Sequence, residues 1–236
     1  MKRSITTISL MVMALFSCGQ DTIDSKAEID DGSSYNSTSI RYLALGDSYT
    51  IGESVPESDR YPIQLSNRLI NDSIKIDTTI IIAKTGWRTD DLISAIDNAN
   101  VEGVFDMVSL LIGVNNQYQG KPITQYESEF AELLDTAIKY ADGDKSKVFV
   151  ISIPDYGYTP FGKSNQSIIS AELDEYNAIN KSIAQNKGIT WFNITPISKN
   201  GLVDPELVAP DGLHPSGKMY SQWVDLFYKQ VKNSLE

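Results

Sequence analysis

The chain has 236 residues, a formal net charge of −11 and 41% hydrophobic residues. That apolar content supports a sizeable core without reaching a membrane-protein value, and the length suits one large domain. The charge excludes nucleic acid and anionic lipid surfaces as partners, and one histidine with one cysteine cannot furnish the usual metal clusters, so neither metal nor cofactor is expected.

Residues 1–17 read as an export signal. Lys2 and Arg3 make a positive start, Ile8 to Phe16 an apolar core, and Ser17 is small. The apolar run is too short to span a bilayer as a stable helix. Leu15-Phe16-Ser17-Cys18 resembles a bacterial lipoprotein box. The resemblance implies a signal peptide ending at residue 17 and lipidation of Cys18. The protein would then be exported and membrane-anchored on the periplasmic or cell-surface side, touching the membrane only through that lipid. Cys18 is the sole cysteine, so no intrachain disulfide can form. Residues 18–39 are polar and acidic and read as a flexible tether, with the folded domain over 40–236.

Tyr42 to Leu45 is a short apolar run bounded by turn residues and predicts a buried strand. Gly46 ends it, and Ser48 follows at the carboxyl edge, where open α/β sheets place ligand sites. Pro62 to Ile70 predicts a helix, with Leu65 and Leu69 on one face. Ile74 to Ile82 predicts a second strand leading to Thr85-Gly86. Thr89 is expected to cap a helix with Asp90 and Asp91 in its first turn and Leu92, Ile93 and Ile96 inward. Val104 to Ile112, the most apolar strand, is expected at the centre of the sheet.

Thr124 to Glu127 reads as a capping box ahead of an amphipathic helix carrying Phe130, Leu133, Leu134, Ala137 and Ile138. Val148 to Ile153 predicts a fourth strand. A long loop over 154–167 then carries Tyr156, Tyr158 and Phe161. Leu173, Tyr176 and Ile183 suggest a helix, Ile189 to Ile194 a fifth strand, and Tyr220, Trp223, Val224, Phe227 and Val231 one face of a closing helix. Strands alternating with helices argue for a parallel sheet covered on both faces.

Two segments carry the chemistry. A serine hydroxyl is a poor nucleophile until a nearby base takes its proton, and imidazole suits that task near neutral pH. His214 is the only histidine, within Asp211-Gly212-Leu213-His214-Pro215. Asp211 can fold back across Gly212 to hold the ring nitrogen that faces away from Ser48, as the acid of a triad does. The plainer alternatives are Ser48 as a helix cap and His214 as an ordinary satisfied residue.

Gly46-Asp47-Ser48, Ala83 to Trp87, Gly113-Val114-Asn115-Asn116 and Asp211 to Pro215 occur in this order along most of the chain. Together they resemble the four blocks of the SGNH hydrolases, the GDSL-type esterases and lipases. The resemblance implies a three-layer α/β/α sandwich of flavodoxin-like topology with a five-stranded parallel sheet. It also implies an oxyanion hole built from the Ser48 and Gly86 amides and the Asn115 side chain. Family members commonly have aspartate where Asn116 stands and often leucine where Tyr49 stands. These departures are expected to bear on loop geometry, not on the triad.

The expected activity is that of a serine esterase, with Ser48 as nucleophile, His214 as base and Asp211 as orienting acid. Surface anchoring and the loop aromatics lean the substrate towards O-acetyl groups on carbohydrate. Short acyl esters or lysolipids are the alternative. Tyr156, Tyr158 and Phe161 either meet substrate or pack the loop down. Two non-enzymatic rivals are a glycan-binding module on the same fold and a phosphate or flavin binder. The intact Ser48, Asp211 and His214 set counts against the first, and the lack of a glycine-rich phosphate cradle against the second.

Overall fold

The computed structural model describes residues 39–235. The export signal, Cys18 and nearly all of the acidic tether therefore lie outside the described residues. Among the described residues no helix is long and apolar enough to cross a membrane.

In chain order the elements are β1 (Ile40–Gly46), α1 (Ser48–Ile51), α2 (Tyr61–Asn71), β2 (Ile76–Ala83), α3 (Thr89–Ala99), β3 (Met107–Leu111) and α4 (Val114–Tyr118). There follow α5 (Ile123–Tyr140), β4 (Val148–Ile151), α6 (Gln166–Lys187), β5 (Thr190–Phe192), α7 (Thr195–Ser198) and α8 (Gly217–Asn233). The five strands form one parallel sheet in the order β2-β1-β3-β4-β5. Helices cover both faces, so the strands are buried on two sides and read as apolar runs. β3 is the central strand, as its composition predicts, and all five of its residues are buried.

On one face α8 packs against α2. Tyr61 meets Tyr220, Trp223 and Phe227 at ring-centroid distances of 6.3, 6.3 and 6.4 Å. On the other face Tyr126 of α5 lies 4.6 Å from Tyr176 of α6, between centroids. Fully burying an aromatic or large aliphatic side chain contributes roughly 1.5–3 kcal/mol, so these clusters hold the layers together.

Both predicted helix caps are corrected. α3 begins on Arg88, with Thr89 as its first helical residue, and the Arg88 amide donates to Asp91 Oδ2 at 3.0 Å. α5 begins on Pro122, so Thr124 lies inside the helix and caps nothing. In each case the chain enters the helix one or two residues before the hydroxyl. The long loop after β4 is tighter than predicted, with single 3₁₀ turns at Tyr156–Tyr158 and Lys163–Asn165.

The order of the strands positions the site. β1 and β3 sit side by side, so the segments leaving their carboxyl ends, at Ser48 and at Gly113–Asn116, emerge together. β2 flanks β1 and delivers Thr85 and Gly86 to the same edge.

Candidate active site

β1 turns directly into α1 at Gly46. A Cβ there would lie 2.1 Å from Thr50 Oγ1 and 2.4 Å from the Leu111 carbonyl oxygen, so no other residue fits. Asp47 is the cap of α1, its Oδ1 accepting from the Tyr49 amide at 3.0 Å. That assignment removes the plainer role for Ser48, whose hydroxyl is not used as a cap. The Ser48 amide occupies the first helical position, where no intrahelical acceptor exists.

The stretch before α8 is a tight loop closed by an antiparallel bridge between Val208 and Pro215. The Ala209 amide donates to the His214 carbonyl at 2.8 Å, and Gly212 turns the chain with φ +73°. Asp211 Oδ1 accepts from the Leu213 and His214 amides at 2.9 and 3.0 Å. Its other oxygen, Oδ2, lies 2.6 Å from His214 Nδ1, the acid–imidazole contact expected from the spacing. Burial alone would raise the Asp211 carboxyl. Hydrogen bonds from the Ser54 hydroxyl, the imidazole and the two amides outweigh it and hold the group well below the usual carboxylate range. Asp211 is therefore an anion facing the imidazole.

Ser48 and His214 are both nearly buried and line one cleft of about 270 Å³. No hydrogen bond joins their side chains here, and such contacts are commonly long in the absence of substrate. Tyr49 packs its ring against the imidazole at 5.8 Å between centroids and 64° between planes. This contact was not legible in the sequence, where Tyr49 reads only as a departure from leucine.

Gly86 and Asn115 line the same cleft. Gly86 has φ +86° and open space around its α-carbon, so its amide can be approached closely. Asn115 Nδ2 donates to the Trp87 carbonyl at 2.9 Å. That bond fixes which end of the amide is nitrogen and leaves its second N–H free for a ligand. Asn116 is fully buried and serves the scaffold: its Oδ1 accepts from the Thr89 amide at 3.1 Å and its Nδ2 donates to Thr89 Oγ1 at 2.7 Å. The departure at this position thus bears on loop geometry, tying the Asn115 loop to the start of α3.

Of the three loop aromatics, Tyr156 and Phe161 line the cleft and Tyr158 does not; the Lys199 ammonium lies 5.9 Å from its ring centroid. A third ring, Tyr118 at the end of α4, completes the wall. It stands 6.2 Å from Tyr156 and 6.1 Å from Phe161, between centroids. Tyr118 and Phe161 are 59% and 51% exposed, which is unusual for such rings and leaves them free to meet a ligand. The signal for Tyr118 was its place two residues past Asn116, on the same short helix.

Known proteins bear on this arrangement. Several crystal structures share the fold. TesA superposes with a TM-score of 0.66 at 14% identity, covering 82% of this chain and 99% of its own. The psychrotrophic esterase EstA from Pseudoalteromonas sp. gives 0.63 at 15%, with 82% and 97% covered. Axe2, an acetylxylan esterase from Geobacillus stearothermophilus, gives 0.64 at 18%, with 81% and 94% covered. No curated protein sequence matches the chain. The model of the GDSL-like lipase/acylhydrolase family matches residues 44–222, a span that contains every block described above. The chain belongs to that family and is a carboxylic ester hydrolase.

Proposed function

We propose that the protein is a serine esterase removing small acyl groups, O-acetyl groups on carbohydrate above all, by a Ser48-His214-Asp211 mechanism. The observation that carries the reading is the 2.6 Å contact between Asp211 and His214 Nδ1, at a cleft lined by His214 and Ser48. With Nδ1–H committed to Asp211, the imidazole presents Nε2 as the base.

His214 takes the Ser48 Oγ proton as Oγ attacks the ester carbonyl. The developing oxyanion is met by the Ser48 and Gly86 amides and the free N–H of Asn115. Collapse of the tetrahedral intermediate breaks the bond to the alcohol, which leaves with the proton held by His214. Water, deprotonated by the same imidazole, then resolves the acyl-enzyme and frees the acid. Fixed donors aimed at the oxyanion contribute roughly 3–4 kcal/mol each.

The substrate reading rests on the aromatic wall. The Phe161 amide donates to the Gly212 carbonyl at 3.0 Å, so this wall is tied to the segment that carries His214. In the proposed mechanism His214 protonates the leaving alcohol, so Phe161 and its neighbour Tyr118 are read as the alcohol side. Exposed rings there suit the apolar face of a sugar, and the modest volume suits a short acyl group. Axe2, of similar fold, is an acetylxylan esterase. We further propose that the chain is an exported lipoprotein anchored through Cys18, with no other membrane contact and no nucleic-acid partner.

The test compares p-nitrophenyl acetate, p-nitrophenyl octanoate and acetylated xylo-oligosaccharides on wild type, Ser48→Ala and His214→Ala. Both single variants should lose nearly all turnover, and the double variant should be scarcely worse, since such groups act as a unit. Near-wild-type turnover in His214→Ala would end the triad reading, because no second histidine exists to replace it. Preference for octanoate would favour lipid esters over glycans, and saturable glycan binding without hydrolysis would favour a binding module.

A further inference from the structure

The turn that follows the Ser48 helix reaches two other parts of the cleft at once. α1 ends at Gly52, and the amides of Gly52 and Glu53 both return to the Ser48 carbonyl at 3.0 Å. Ser54 then adopts a left-handed backbone with φ +65°. A non-glycine residue held there costs of order 1 kcal/mol and persists where its surroundings enforce it. From this turn the Glu53 carboxylate accepts a hydrogen bond from the Thr85 hydroxyl, next to Gly86. The Ser54 hydroxyl donates to Asp211 Oδ2 at 2.6 Å. This is the oxygen that holds His214 Nδ1. Two neighbouring side chains thus bind the Ser48 segment to a loop 32 residues on and to another 157 residues on.

We infer that Glu53-Ser54 is a positioning turn for the reaction, in which Ser54 sets where Asp211 holds His214 and Glu53 fixes the Thr85-Gly86 loop. The inference rests on the proposed triad and names residues outside it. Asp211 Oδ1 is satisfied by two amides, so only the load on Oδ2 is adjustable. Oδ2 shares its charge between the Ser54 hydroxyl and the imidazole. Without the hydroxyl, Oδ2 loses its tie to the Ser48 turn, and the carboxylate and the imidazole it carries are free to shift relative to Ser48.

The experiment measures kcat and KM for p-nitrophenyl acetate, and the melting temperature, on wild type, Ser54→Gly, Thr85→Val and Ser48→Ala. Glycine accepts φ +65° without strain, so Ser54→Gly removes the hydroxyl and spares the backbone. Its kcat should fall by roughly ten-fold at unchanged KM, the scale of a modest misplacement of reacting groups. Thr85→Val should lower kcat several-fold, again at unchanged KM, because it loosens the oxyanion side. A Ser54→Gly enzyme with wild-type kcat, or one whose loss of kcat comes with a matching fall in melting temperature, overturns the inference, since a merely structural role would act through stability. Activity in Ser48→Ala would remove the triad reading and this inference with it. An inactive Ser48→Ala beside a wild-type kcat in Ser54→Gly overturns the inference alone.

Discussion

Asp47→Asn should make the folded protein more tolerant of alkaline pH relative to wild type. The carboxyl of Asp47 is wholly buried, Oδ1 accepts from the Tyr49 amide, and Oδ2 has no partner among the described residues. Burial pushes the group from its ordinary 3.8 up to about 7, with the Tyr49 amide offsetting part of the rise. In the unfolded chain the proton leaves near the ordinary value; in the folded chain it stays on until about pH 7. The folded state therefore binds more protons between those limits, and stability falls as pH rises through that window and then levels. A displacement of about three pH units corresponds to roughly 4 kcal/mol. Asparagine keeps an acceptor for the Tyr49 amide and has no proton to lose. Its unpaired Nδ2 costs about 1–3 kcal/mol, but that penalty is the same at every pH. Urea unfolding of both proteins at pH 4, 5.5, 7 and 9 reads the difference. Moving from pH 4 to 9 should shift stability by about 3–4 kcal/mol in favour of Asp47→Asn. Parallel curves, agreeing within about 1 kcal/mol at all four pH values, would show that Asp47 titrates normally and that the argument from burial is wrong.

Asn115→Ala should lower kcat by roughly a hundred- to a thousand-fold with little change in melting temperature; an unchanged kcat would place the oxyanion donors elsewhere. Gly46→Ala should destabilise by about 1–3 kcal/mol or more, because its methyl meets Thr50 Oγ1 and the Leu111 carbonyl; a wild-type Tm would refute this. Tyr49 lines both the cleft and a void of about 10 Å³ behind it, so Tyr49→Leu should open depth for the acyl chain. The ratio of hexanoate to acetate kcat/KM should rise about ten-fold, and an unchanged ratio would mean the chain lies elsewhere. Cys18→Ser should release the protein from the membrane fraction, a result excluded if wild type is already found in the soluble fraction.

What the sequence made legible follows from local chemistry. The apolar run into Gly46 and the alternation of strands with helices record burial on both faces of a sheet, and burial leaves a direct trace in composition. The Asp211–His214 pair is readable because three residues and one glycine turn close it. The caps at Thr89 and Thr124 were misassigned because a cap is defined by backbone angles at helix entry, and here Arg88 and Pro122 hold those positions. Ser54 left no trace, since its role depends on a positive φ and on a partner far along the chain. Tyr156 and Phe161 are told apart from Tyr158 only by which way each ring points, and periodicity says nothing of direction inside an irregular loop.

The arrangement around α8 bears on when the enzyme becomes active. Ser216 caps that helix through the Met219 amide at 3.2 Å, and the loop immediately before it carries Asp211 and His214. All five strands precede this segment, so on the proposed mechanism Ser48 and Gly86 lie in a part of the chain made before the base. Activity would then await the docking of the closing helix, whose Tyr220, Trp223 and Phe227 pack on Tyr61. By the same reasoning, fraying of this one helix would withdraw the proposed acid and base together while the sheet stays intact. Loss of turnover on heating should then run ahead of loss of the sheet's circular dichroism, a disarming step before unfolding.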